Sequence, residues 1–330
     1  MDRKITGISV IVCCYNSALR LPETLAHLAV QTVRADTLWE VILVNNNSID
    51  DTENLAKSLW YELDTPVPLK IVKEPNAGLS FAREKGISAS KYNLYLFCDD
   101  DNWLQYDYLQ TAIETFNTNP EIGALGGWST PVFEGEKPEW FDTFSGNFAA
   151  GKPVKESGII TMPQAFLYGA GMVIHQETFS RLQARGFKSI LTDRKGTQLS
   201  SGGDVELIYA IKLLGIPVMF SDGLCFQHFM PKERMEWAYL LRLRNSMQWS
   251  NFVLHIYIDA LKNTSLTVKN LFKKAMKAIH FIYVERNGIH KLTVTKRLFL
   301  ENQIAIRCLF LKHFMFYYKT RQLLKNIQND

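Results

Sequence analysis

The chain reads as an α/β protein: a mostly parallel sheet with flanking helices, extended at its C-terminal end by further helices. Three observations predict this. Short apolar runs rich in Val and Ile alternate with helical patterns through the first hundred residues. Those runs lack strict polar alternation, as expected of strands covered on both faces. From about Trp237 onward the pattern stays helical, mixing apolar and basic positions.

Strand-like runs at Ile8–Cys14, 40–44, 69–72 and 94–98 enclose helical patterns at 22–33, 51–63 and 79–90. In the helical patterns the apolar residues recur every three or four positions. Strand–helix–strand repetition at this spacing implies βαβ units, and ligands of such sheets bind beyond the carboxyl ends of the strands. Residues 120–165 read as irregular loops and short strands, because Gly126, Gly127, Pro131, Gly135, Pro138, Gly146, Gly151 and Pro153 interrupt any long helix. Helical pattern returns at 179–184 and more strongly at 204–214, and a strand follows at 218–220.

Composition narrows the class. At 330 residues, 47% hydrophobic and 21% charged, the chain is neither disordered, collagen-like nor a disulfide scaffold, and it can bury a large core. No stretch reaches the roughly 18 consecutive apolar residues of a membrane span. The N-terminal apolar run meets Tyr15 and Asn16 without a small-residue cleavage site, which argues against a secretory signal. The five cysteines are odd in number and form no CxxC pair, so free thiols in a reducing cytoplasm are expected. Charge is uneven. Residues 251–330 carry 14 Lys plus Arg against four Asp plus Glu, a local +10 on a body of −6.

The densest chemistry lies at strand ends. Asp99, Asp100 and Asp101 close the fourth strand. Adjacent carboxylates repel unless a cation sits among them, and hard divalent ions take such oxygens together with substrate phosphates. Val44-Asn45-Asn46-Asn47-Ser48-Ile49-Asp50-Asp51 follows the second strand, with side chains suited to a tight turn and a helix cap. The segment from Glu74 to Arg83 follows the third, combining a glycine loop, Asn76 and a cationic fork at Arg83. Asp204 opens an amphipathic helix. Glu206 lies about 200° further round that helix, so the two acids cannot serve one site equally. His228 follows the 218–220 strand and is a candidate to complete a metal or phosphate shell.

Over residues 7–240 these motifs together resemble the family 2 glycosyltransferases, which adopt the GT-A fold. The resemblance rests on the run from Ser9 to Asn16, the 44–51 turn, the 76–83 segment, the Asp99–Asp101 triplet and Gly203-Asp204. It implies a Rossmann-like sheet and three units. Residues 1–102 would be the nucleotide-sugar-binding half, 103–236 the acceptor-binding and catalytic half, and 237–330 a basic helical region. It also implies roles. Asp99 would contact the ribose, with Asp100 beside it in the donor site, and Asp101 would hold Mg²⁺ or Mn²⁺ on the diphosphate. Asp204 would act as general base. Tyr15 and Asn45 would lie beside the base with Asp50 close by, and Asn76 and Arg83 towards the donor. Two positions depart from the pattern. Asn45 stands where Asp is usual, and Gly203 where an acid usually precedes the base.

The resemblance implies an inverting, metal-dependent transferase using a nucleoside-diphosphate sugar, a UDP-sugar being favoured. Its acceptor would be a glycan or lipid-linked hydroxyl in surface polysaccharide or glycoconjugate synthesis. The rival is a non-catalytic nucleotide-sugar-binding subunit, which need not keep both Asp101 and Asp204. Sugar nucleotidyl transfer is disfavoured, since Tyr15-Asn16-Ser17-Ala18 is no glycine- and basic-rich phosphate loop. The aromatics Trp128, Phe133, Trp140, Phe141, Phe144 and Phe148, followed by Tyr168, are assigned to the acceptor side or to core. The basic C-terminal region carries no nucleic-acid motif, and nucleic acid is not expected as a partner. Its apolar–basic mixture suits peripheral attachment to an anionic membrane face.

Overall fold

A computed structural model describes residues 4–328 apart from 66, 195–198 and 200; Ser200 of the loop before Asp204 is thus outside the described residues. Among these, nine strands form one sheet: β1 (Ile8–Cys14), β2 (Trp39–Asn45), β3 (Leu69–Lys73), β4 (Leu94–Asp99), β5 (Asn102–Leu104), β6 (Ala124–Phe133), β7 (Gly158–Ile159), β8 (Val173–His175) and β9 (Val218–Met230). The order is β3-β2-β1-β4-β8-β6-β9-β5, with β7 on β9. The first four strands are parallel, linked by helices α1 (Leu21–Ala29), α2 (Thr52–Glu62) and α3 (Leu79–Ala89). Beyond β4 the sheet becomes mixed: β8 is antiparallel to both β4 and β6, while β6 and β9 run parallel.

Alternate residues of β1 explain its lack of polar alternation. Val10 and Val12 pack into one core with Leu25, Leu43, Leu96 and Leu109. Ile11 faces the other core with Ile42, Ala82, Phe97 and Ile208. Both faces are dry, and burying each such side chain contributes roughly 1.5–3 kcal/mol. Register then fixes the site. Cys14 pairs with Asn45, Cys13 with Asp99, and Asn45 with Lys73, so the loops after β1, β2, β3 and β4 leave the sheet side by side.

The 120–165 stretch is more regular than its glycines imply. β6 runs ten residues and pairs with β9 along nearly its full length, with a register shift between Gly126 and Trp128. A Cβ on Gly127 would stand 1.8 Å from the Leu224 carbonyl oxygen. The glycine therefore lets the two backbones approach at a bulge instead of breaking a strand. Gly127→Ala is expected to destabilise the fold by about 3 kcal/mol, since the clash is with paired backbone, read as a lower urea midpoint.

Helices α4 (Tyr108–Thr118), α5 (Phe141–Phe144) and α6 (Gln176–Ala184) precede α7 (Gly203–Leu213). The C-terminal region is helical: α8 (Trp237–Ser246), α9 (Gln248–Leu261), α10 (Val268–Gly288), α11 (Val294–Lys312) and α12 (Phe314–Gln328). Phe252, Tyr257, Phe310 and Tyr317 from this region join the core containing Ile208. Among the described residues, no helix is long and apolar enough to cross a membrane. Each of the five cysteines is a free thiol.

Candidate active site

Three strand-end loops are locked together by short polar side chains. Asn16 takes a left-handed conformation (φ 50°) that turns the chain off β1. Its side-chain oxygen accepts from the Ile49 amide, and its amide donates to the Ser48 hydroxyl. Asp50 accepts from the amides of Ala18 and Thr52. Asn45 donates to Glu53 and accepts from the Ser48 amide. Asn46 donates to the Glu74 and Asn76 carbonyls and accepts from the Gly78 amide, which fastens the second loop to the third. The asparagine run is thus a turn whose side chains replace missing backbone partners.

These loops wall a cleft of about 740 Å³. Tyr15, Arg83, Asp99, Asp100, Asp101, Asp204 and His228 all line it. Asn45, Asp50 and Asn76 do not line it; their contacts shape the loops behind it.

The three acids have different surroundings. Asp99 ends β4, and its carboxyl is pushed up by burial, with Arg83 opposing. Asp100 points back under α1. The Arg20 guanidinium lies 2.7 Å from it, the Ser17 hydroxyl donates to it, and Thr24 donates to its carbonyl. Burial and Asp101 nevertheless leave the Asp100 carboxyl raised. Asp101 meets Arg234 at 2.9 Å and the His228 Nε2 at 3.5 Å. Burial pushes its carboxyl up, but His228 and Arg234 outweigh that and hold it well below the usual range. The β5–β9 pairing delivers His228 opposite Asn102, and the turn after β9 carries Arg234.

The cleft is also lined from α7, which begins at Gly203. The Asp204 carboxylate accepts from the Gly169 amide at 2.7 Å and the Val205 amide at 2.9 Å. A Cβ on Gly169 would lie 2.7 Å from the Asp204 Cβ and 2.8 Å from an Arg83 terminal nitrogen, so Asp204 and Arg83 converge over that glycine. Asp193 sits where a side chain on Gly203 would go. Its carboxylate is 2.7 Å from that Cβ position, accepts from the Gly203 amide at 2.8 Å, and pairs with Arg83 at 3.4 Å. The acid lacking beside Asp204 in sequence is thus supplied in space by a loop ten residues upstream. Glu206 is fully buried and accepts from Ser189, Ile190, Leu191 and Tyr257, anchoring that loop.

Burial pushes the Asp193 carboxyl up to about 6, with Arg83 opposing. The native state therefore holds this proton over a range where the unfolded chain has lost it, and stability falls as pH rises through that window. Asp193→Asn removes the dependence. Between pH 5 and pH 7 the stability gap between parent and variant should narrow by on the order of 1 kcal/mol, measured by urea unfolding at both values.

Sequence reasoning missed Asn46, Asp193, Arg234 and Arg20. Asn46 differs from its neighbours only in which way its side chain points. Asp193, Arg234 and Arg20 meet their partners across 110, 133 and 80 residues respectively. Most of the aromatics assigned to the acceptor side or to core form a cluster with α8: Phe141, Phe144 and Phe148 are buried, and Trp140 packs on Phe148 and Trp237. Phe148 and Tyr168 also line the cleft.

Among the described residues, no group of three or more His, Cys, Asp or Glu side chains is placed to enclose a metal unaided. Asp101 and His228 nonetheless fit a divalent ion that draws its other ligands from a bound phosphate. The pair is buried, and the His228 Nε2 faces an Asp101 oxygen at 3.5 Å.

A family model described as glycosyl transferase family 2 matches residues 9–180. The glucosyl-dolichyl phosphate glucuronosyltransferase of Haloferax volcanii is 28% identical over 136 residues, covering 41% of this chain and 42% of that protein. This chain therefore spans less than half the length of that relative. The succinoglycan biosynthesis protein ExoM of Rhizobium meliloti is 26% identical over 247 residues, 74% of each chain. Two solved structures share the fold. The mannosyltransferase PcManGT from Pyrobaculum calidifontis, in complex with GDP-Man and Mn²⁺, superposes with a TM-score of 0.57 at 17% identity, covering 99% of this chain and 86% of that one. Staphylococcus aureus TarS 1-349, in complex with UDP-GlcNAc, gives 0.55 at 16% identity, covering 98% and 90%.

Proposed function

The chain belongs to glycosyl transferase family 2, and from that premise we propose that it moves a sugar from a nucleoside-diphosphate donor to a hydroxyl of a glycan or lipid-linked acceptor, with inversion, in surface polysaccharide or glycoconjugate synthesis. The observation that carries the reading is the meeting of Asp99, Asp101 and Arg83 with Asp204 in one cleft. Residues 1–102 furnish most of the donor side, 103–236 the base and acceptor side, and 237–330 the helical extension.

Each residue then has a task. Tyr15, half-exposed at the cleft, covers the base, and Asp99 takes the ribose hydroxyls. Arg83 and Arg234 bring positive charge to the diphosphate as it gains charge on leaving. Asp101 and His228 would hold Mg²⁺ or Mn²⁺, whose chemistry there is to neutralise that leaving group. Asp204 removes the acceptor proton as the hydroxyl attacks. The Gly169 and Val205 amides fix the Asp204 carboxylate without neutralising it. Asp193 holds Arg83 and the start of α7, and so orients the base. Asn45, Asp50 and Asn76 keep the donor loops in register. A uridine donor is favoured, and the basic C-terminal helices place the acceptor at an anionic membrane face.

The test is turnover and binding across UDP-, GDP- and dTDP-sugars with Mn²⁺ and lipid-linked acceptors, the anomeric configuration of the product being read by NMR. One donor transferred with inversion is expected. Retention of configuration overturns the single-displacement mechanism. Tight, metal-dependent binding without turnover overturns the enzyme.

A further inference from the structure

A second cavity, of about 340 Å³, lies among α9, α10, α11 and α12. Phe252, Phe281, Ile306 and Phe310 give it apolar walls, while Lys277 and Arg307 give it cations. The cations of this cavity are not alike. Lys274 is neutralised by Asp259, which also accepts from the Tyr317 hydroxyl at 2.9 Å. Arg307 sits over the Phe281 ring at 3.7 Å and, among the described residues, donates to Gln303; burial lowers its pKa, with Glu285 opposing. Neither Arg307 nor Lys277 has an ion pair among the described residues. Cations without a close ion-pair partner beside an apolar wall, Lys277 exposed and Arg307 half-buried, suit a ligand that brings both an anion and apolar surface.

The opposite face of α10 adds an independent observation. Val268, Phe272, Met276, Ile279 and Tyr283 are all exposed and fall within one stripe of about 80° at helical spacing. Lys269 and Lys273 border that stripe and are also exposed. An apolar stripe edged by lysines suits the headgroup region of an anionic bilayer. The same helix thus carries the exposed stripe on one face and lines the cationic cavity with the other. His255 lines both this cavity and the acidic cleft, so the two adjoin.

We propose that this cavity binds the phosphate ester of an amphiphile, with the phosphate on Lys277 and Arg307 and the first apolar carbons against Phe281 and Phe310. The further assignment, that the amphiphile is the lipid-linked acceptor whose far end meets Asp204, rests on the transferase reading; the binding site does not. A membrane phospholipid offers the same chemistry.

Calorimetry on the full chain separates the sources, using farnesyl phosphate, farnesol, inorganic phosphate and dihexanoyl phosphatidylglycerol, each below its micellar concentration. Farnesyl phosphate should bind at least ~10-fold more tightly than the other three. Arg307→Gln and Lys277→Gln, made singly, should each weaken it by about 10-fold, the size of one lost charge-assisted contact. UDP-sugar binding in the acidic cleft should stay unchanged in both variants, which also shows that they fold. Equal binding of farnesyl phosphate and the phosphatidylglycerol overturns the acceptor assignment in favour of a phospholipid. Binding of farnesol as tight as that of farnesyl phosphate, or variants without effect, overturns the phosphate site. A parent protein that binds a nucleotide sugar but no farnesyl phosphate rejects this proposal alone, whereas a parent protein that binds no nucleotide sugar rejects the transferase reading.

Discussion

Asp204→Asn is expected to lower sugar transfer by about 10²–10⁴-fold while the donor still binds, because general-base removal is worth that much and the side chain lines the cleft on α7, an element separate from the strand end that carries the acidic triplet. The substitution is nearly isosteric but not silent. Asp204 accepts from two amides, and an asparagine oxygen can serve only one of them while its NH₂ faces the other. A local cost of roughly 1 kcal/mol follows, and it should appear in unfolding rather than in donor affinity. Single-turnover transfer beside donor titration separates the two. Equal loss of both would make Asp204 a structural cap of α7 and not the base.

Asp101→Asn should produce the second large effect, and it acts twice. Arg234 is largely shielded from solvent with Asp101 as its closest anion, so neutralising the acid leaves the guanidinium with only the more distant Asp100 to oppose it. Breaking one side of such a pair costs about 3 kcal/mol, seen as a lower urea midpoint. The donor should also lose its dependence on Mn²⁺, checked by titrating a UDP-sugar with and without the ion. The pH behaviour has a definite sign. The Asp101 carboxyl is held low by His228 and Arg234 against burial, so its stabilisation is present above the ordinary carboxylate range and fades as pH falls through it. Asp193, held high by burial, runs the opposite way. Asp101→Asn should therefore flatten the acid limb of the stability profile, and Asp193→Asn the stretch near pH 6.

Much of this was legible in the linear chain, and the reason is local. The β1–β4 runs are apolar on both faces because both faces are covered, and no long-range information is needed to see that. A parallel sheet then directs its carboxyl-end loops to one edge. That is why Tyr15, Arg83 and Asp99–Asp101 could be placed together from sequence, and why they line one cleft. The limits were physical too. Gly126 and Gly127 read as breakers in β6, but at this position glycine serves a close backbone approach to Leu224 that no local pattern announces. The same residue type signals opposite structures depending on what lies across from it.

The sequence by itself determined the parallel core, the acidic strand end, the acid at the start of α7 and the basic helical extension, because each depends on the periodicity or chemistry of neighbouring residues. Only the tertiary structure decided how the charges pair. It sent Asp100 to Arg20 and Asp101 to Arg234 and His228. It filled the space beside Gly203 with Asp193, and it brought Arg307 and Lys277 to a second cavity among the C-terminal helices. Electrostatic energy depends on separation and burial in space. Partners 80 to 133 residues apart along the chain acquire both only when it folds.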